Sequence, residues 1–135
     1  MCNSFYNFSN YSKYRDIDLS KTKEMVDWYF QQPQEQAIII LLVYESTPVG
    51  MISALRAPMP FWPGFVAAEQ VWWVDEKHRG RHSLELLKAL VYWAELVGLS
   101  GVTMTSLESN PKVGRLYKQL GFTHVENAYF KYSGV

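Results

Sequence analysis

Val74-Asp75-Glu76-Lys77-His78-Arg79-Gly80-Arg81-His82-Ser83 connects two apolar segments of different periodicity. Before it, Ala68 to Val74 reads as a buried strand. After it, Ser83 to Val97 reads as a helix with two apolar stripes: Leu84, Leu87, Val91 and Ala94, then Leu86, Leu90, Trp93 and Val97. Glu85, Lys88, Tyr92 and Glu95 are left as a narrow polar face, and Gly98 suits the C-terminal cap. A helix with two such stripes must be largely covered by a sheet. Val102 to Ser106 reads as the next strand, so the passage predicts a right-handed crossover between parallel neighbours.

Working outward, Ala37 to Tyr44 is rich in Ile, Leu and Val and predicts a strand buried on both faces. Glu45-Ser46-Thr47-Pro48 reads as a turn, and Val49 to Ala57 as an antiparallel return. Pro58, Pro60 and Pro63 break the following stretch into a loop carrying exposed-looking Phe61, Trp62 and Phe65. Upstream, Ser20 caps a predicted helix that Pro33 ends, and its apolar character predicts packing on the sheet. The first fifteen or so residues mix polar and aromatic side chains without periodicity, consistent with a loose segment or an edge strand. Downstream, Asn110-Pro111 reads as an N-cap and first helical position. Val113, Leu116, Tyr117 and Leu120 form that helix's inner stripe, Gly121 ends it, and Thr123 to Tyr132 alternates like a final strand.

The whole chain, residues 1–135, therefore predicts one domain of the α/β (α+β) class. Its sheet is mixed but mainly antiparallel, with helices on both faces. At 48% hydrophobic residues it has material for a core. A formal net charge of zero argues against a general nucleic-acid binder. Cys2 is the single cysteine, which leaves no disulfide framework and points to a reducing, cytoplasmic setting. His78, His82 and His124 lack a metal-ligand spacing. Ala37 to Val43, the longest apolar run, is far shorter than the roughly 20 residues that cross a bilayer.

The turn at 74–83 also carries chemistry. A loop entering a helix presents unpaired backbone N–H groups at the positive end of the helix dipole. Arg79, Arg81 and His82 add charge and donors, and Gly80 lets backbone come close to a ligand. Such a combination suits a phosphate or pyrophosphate, and equally describes an ordinary solvated basic turn.

Val74-x-x-x-x-Arg79-Gly80-Arg81 followed by Leu86-Leu87 resembles the acetyl-CoA motif of the GCN5-related N-acetyltransferase family. Asn110, followed by Leu116-Tyr117-Lys118-Gln119-Leu120-Gly121-Phe122, resembles that family's second block. The two stand in the family's order, about 30 residues apart. Departures lie in the turn. Glu76 replaces the usual proline, and His82, Ser83 and Leu84 occupy the stretch of the later glycines. Side chains of Arg81, His82 and Ser83 would then replace backbone donors.

The resemblance implies an acyl-CoA N-acyltransferase-like fold that binds acetyl-CoA and transfers the acetyl group to a primary amine of a small molecule or protein, with a homodimer left open. It implies a pantetheine arm between the splayed strands 68–74 and 102–106, held by backbone at Trp73 and Val74. The pyrophosphate would lie over Arg79, Gly80, Arg81, His82 and Ser83. Asn110 would bond the pantetheine amides, cap the helix, or both. Glu69 is the candidate base, since a carboxylate among apolar neighbours holds its proton more tightly; its alternative is a solvent-facing position. Tyr117 is the candidate acid toward the leaving thiolate; its alternative is plain packing. Phe61, Trp62 and Phe65 read as a wall of the acceptor pocket. They also suit a partner-binding patch on a non-catalytic interaction protein of the same fold.

Overall fold

A computed structural model describes residues 1–134. The elements in chain order are α1 (Cys2–Phe8), a 3-10 turn, α2 (Leu19–Gln31), β1 (Ala37–Tyr44), β2 (Thr47–Pro58) and β3 (Phe65–Val74). A second 3-10 turn leads into α3 (Arg81–Leu96), then β4 (Val102–Thr103) and α4 (Lys112–Gln119). The described strands form one sheet in the order β1-β2-β3-β4. The first two pairings are antiparallel and the third is parallel, so the sheet is mixed and mainly antiparallel, as the sequence predicts.

Both faces carry helices. Ile52 and Ala54 of β2 point into a core with Leu86, Leu87, Leu90, Trp93 and Ala94 of α3 and with Tyr117 of α4. Side chains alternate along a strand, so Met51 and Trp73 point the other way. There Cys2 Sγ lies 3.9 Å from Met51 Sδ, and Phe5 and Phe8 pack on the Trp73 ring. The loop residues ahead of α2 are held by Asp18, whose side chain accepts from the Lys21 N–H at 2.9 Å. Asp18, and not Ser20, is thus the N-cap. Asp18→Ala should cost about 1 kcal/mol and lower the melting temperature by a few degrees, measured by thermal denaturation.

Several elements differ from the sequence reading, each for a physical reason. The first residues form a helix because Phe5 and Phe8, three apart, find the Trp73 ring. The β1–β2 turn is confined to Glu45 and Ser46, with φ of 47° and 65°. Positive φ at both positions is the signature of a two-residue type I′ hairpin turn, and this leaves Thr47 and Pro48 inside β2. β1 is an edge strand with Leu41, Val43 and Tyr44 exposed, and so is not buried on both faces. β4 pairs only through Ala67↔Val102 and Ala68↔Thr103; residues 104–106 leave the ladder. At Asn110 no side-chain cap forms: α4 starts at Lys112 with Pro111 in the cap position, already in helical conformation. Thr123 to Tyr132 is not a strand. A two-residue β4 offers no edge to extend, and Phe130 and Tyr132 pack instead on Tyr11 and Tyr14.

Candidate active site

The site is created where β3 and β4 part. A bulge in β3 prepares it. Ser53 opposes Val71 and Ala54 opposes Glu69, so Gln70 has no partner on β2. The extra residue shifts the alternation by one. Trp72 faces the core beside Ile52, and Glu69 faces the same side beside Ala54. Without the bulge, Glu69 would share a face with Val71 and Trp73.

Glu69 is 6% exposed. Its Oε2 accepts two hydrogen bonds from Thr105, from the backbone N–H at 3.0 Å and from Oγ1 at 2.8 Å. Thr105 follows the last paired residues of β4, so its N–H is available to a side chain in place of a strand partner. Burial pushes the Glu69 carboxyl above its ordinary range, and the two bonds from Thr105 oppose that rise without cancelling it.

Tyr117 is 8% exposed on the inner face of α4. Its hydroxyl donates to the Thr105 carbonyl at 2.7 Å, and its ring stacks on Trp72 at 6.0 Å. Burial raises the Tyr117 phenol well above its usual value, and the negative charge of Glu69 raises it further. Tyr29 of α2 is raised chiefly by burial, with a lesser contribution from Glu69. One residue, Thr105, thus joins the base and acid candidates.

These residues border an open cleft of about 200 Å³ that runs toward α3. Trp73, Val74, Arg79, Ser83 and Asn110 line it as well, and Phe5 and Phe8 of α1 close one side. The buried indole N–H of Trp72, on the same wall, has no hydrogen-bond partner. At the α3 end, Gly80 is the N-cap with φ of 107°, a conformation that L side chains rarely adopt, and no side chain caps the helix. A Cβ at Gly80 would meet nothing within 4 Å, so this terminus is open to a ligand. Arg79 is committed to the wall: its Nε donates to the Val74 carbonyl at 2.8 Å and its guanidinium sits 4.7 Å from the Trp73 ring centre. Arg81 and His82 are exposed and pair with Glu85 at 3.6 and 3.1 Å.

Of the sequence-derived candidates, Glu69, Tyr117, Trp73, Val74, Arg79, Ser83 and Asn110 meet in this cleft. Gly80, Arg81 and His82 stand at its α3 end. Phe61, Trp62 and Phe65 do not line it; they sit at the other end of β3, where Phe61 is 83% exposed and Phe65 lies under the Arg56 guanidinium at 3.8 Å. Sequence reasoning missed Thr105, for which no local signal exists. It also missed Phe5 and Phe8, whose spacing of three was the available clue.

Donor chemistry at the α3 terminus and an orphan N–H in the cleft fit a long ligand with a phosphate end and an amide-bearing arm. The family model described as "Acetyltransferase (GNAT) family" matches residues 4–122. No curated protein matches the chain. Among solved structures, an aminoglycoside acetyltransferase, AAC(6')-Iy, in complex with a bisubstrate analog superposes with a TM-score of 0.72 at 14% identity, covering 84% of this chain and 79% of that one. Glucosamine-6-phosphate N-acetyltransferase from Arabidopsis thaliana gives 0.70 at 13% identity, covering 87% and 80%. Ribosomal-protein-alanine N-acetyltransferase from Brucella melitensis biovar Abortus 2308 gives 0.64 at 18%, covering 84% and 86%. At these identities the superpositions establish a shared fold.

Proposed function

The chain belongs to the acetyltransferase (GNAT) family, and from that membership we propose that Glu69 and Tyr117 are the proton-handling pair of its acetyl transfer. The reaction moves an acetyl group from acetyl-CoA to an amine. The observation that carries the assignment of the pair is the joint placement of a buried carboxylate and a buried phenol on Thr105, where β3 and β4 diverge.

The residues fit the donor. The α3 N-terminus with Gly80, Arg81, His82 and Ser83 suits the pyrophosphate, and the parting of β3 from β4 suits the pantetheine arm. Trp73 and Val74 border that arm's path, as does the Asn110 side chain, which makes no capping bond. Acetyl-CoA supplies an activated thioester carbonyl. Both Thr105 bonds fall on Oε2 of Glu69, which leaves Oε1 to take the proton of the attacking amine. As the amide N–C bond forms and the C–S bond breaks, the Tyr117 hydroxyl supplies a proton to the departing sulfur. The proton held by Glu69 then restores the pair. The amine is a small-molecule or protein amine, and the single cysteine, Cys2, fits a reducing, cytoplasmic setting.

Isothermal titration with acetyl-CoA and a thiol-release assay over a panel of amines test this reading together. Binding without release for any amine would overturn it. Arg81→Ala should weaken acetyl-CoA binding about 5- to 10-fold, the low end for a lost charge-assisted bond, because the guanidinium is 88% exposed and screened. Unchanged affinity by titration would remove Arg81 from the pyrophosphate site.

A further inference from the structure

We propose that Thr105 is a positioning residue, holding Oε2 of Glu69 so that Oε1 faces the acceptor amine and keeping Tyr117 in register with it. The inference rests on the assignment of Glu69 as the base and adds the residue through which the base is set.

Three bonds carry it. The Thr105 N–H and Oγ1 both donate to one carboxylate oxygen, and the Thr105 carbonyl accepts from Tyr117. Among the described residues, no other one hydrogen-bonds to both groups. The strands explain why. After Ala68↔Thr103 the β3–β4 ladder ends, and the Glu69 side chain spans the opening to reach backbone that would otherwise have bonded to β3. Bonds to the charged form favour ionisation. Thr105 thus works against the burial that would keep Glu69 protonated and idle. The other titratable groups that act on Glu69 are the phenols of Tyr117 on α4 and Tyr29 on α2, and both are held protonated well above neutrality. Arg79 lines the same cleft, with its Nε committed to the Val74 carbonyl. None of these can replace the Thr105 donors as pH varies.

A bare structural role would predict otherwise. Thr105 lies outside the buried core, and Val has nearly its shape. Thr105→Val keeps the backbone N–H bond and removes the Oγ1 bond. The acidic limb of the kcat/KM profile should then move up by about one pH unit, with activity on that limb falling roughly tenfold. Acetyl-CoA affinity should stay within twofold of the native value. Thr105→Ser restores the hydroxyl and should restore the limb, and Thr105→Ala should repeat the shift of the valine variant. A native profile for Thr105→Val, or a serine variant as displaced as the valine one, would overturn the inference. Glu69→Gln separates the two levels. If it keeps the acidic limb, Glu69 is not the base and the underlying assignment falls. If it loses the limb while Thr105→Val leaves it in place, only the role of Thr105 falls.

Discussion

Glu69→Gln should lower kcat/KM on the order of 10²–10³-fold near neutral pH and remove the acidic limb of the rate profile, the loss expected for a general base. The loss is greatest below the acceptor's own pKa, where the amine arrives protonated and removal of its proton is the obstacle. Above that pKa part of the amine is already neutral and the deficit narrows. The same variant should be more stable than the native chain at neutral pH. Burial raises the Glu69 carboxyl, so the folded state holds this proton more tightly than the unfolded chain does. The stability tied to that proton is fully present below the ordinary carboxylate range and is lost as pH rises through the raised folded value. Glutamine is never ionised and escapes the loss. Its melting temperature should exceed the native one at pH 7, and the gap should close as pH falls below the ordinary carboxylate range. Steady-state kinetics across pH and thermal denaturation at two pH values check both halves. A variant equally stable at both, with native turnover, would place Glu69 among inert core residues.

This opposition between stability and activity was legible in the sequence only in outline. Glu69 stands among Ala67, Ala68 and Val71, which suggests a carboxylate in apolar surroundings. Which way it points is a matter of pairing with β2, a partner distant in sequence, and Ala68-Glu69-Gln70-Val71 contains no glycine or turn residue to announce the bulge at Gln70. The 74–83 turn and α3 were readable because both the apolar stripes and the basic turn are local patterns. Thr105 was not readable, since its bonds reach Glu69 and Tyr117, 36 and 12 residues away. Alternation from Thr123 to Tyr132 is a local pattern too, yet a strand also needs an edge to pair with, and β4 stops after two residues. The seven-residue α1 could not be stable alone; it depends on the Trp73 ring, a tertiary partner outside any sequence window.

The pair also predicts how its acid behaves. Tyr117→Phe should lower kcat about 10²-fold, the low end for general acid assistance because thiolate leaves readily. Acetyl-CoA affinity should be nearly unchanged, since the phenol acts only as the sulfur departs and contributes to the transition state alone. Phenylalanine keeps the stack on Trp72 and the contact with Phe122. It leaves the Thr105 carbonyl without the phenol, at a cost of about 1 kcal/mol in stability. A phenol raised by burial and by the Glu69 charge is protonated throughout the neutral and mildly alkaline range, so the native profile should show no alkaline limb from Tyr117. That same elevation makes it a reluctant acid while Glu69 is ionised. On the proposed assignment, a Glu69 that has taken the amine's proton would carry no charge, and the lesser of the two causes of the Tyr117 elevation would be absent as the thiolate leaves. Glu69→Gln also removes the proton that restores Tyr117 after each transfer, so adding Tyr117→Phe to it should cost less than the product of the two single effects. Multiplicative losses in the double variant, measured as kcat with chemistry rate-limiting, would show the two groups acting independently; native turnover in Tyr117→Phe alone would return Tyr117 to the core.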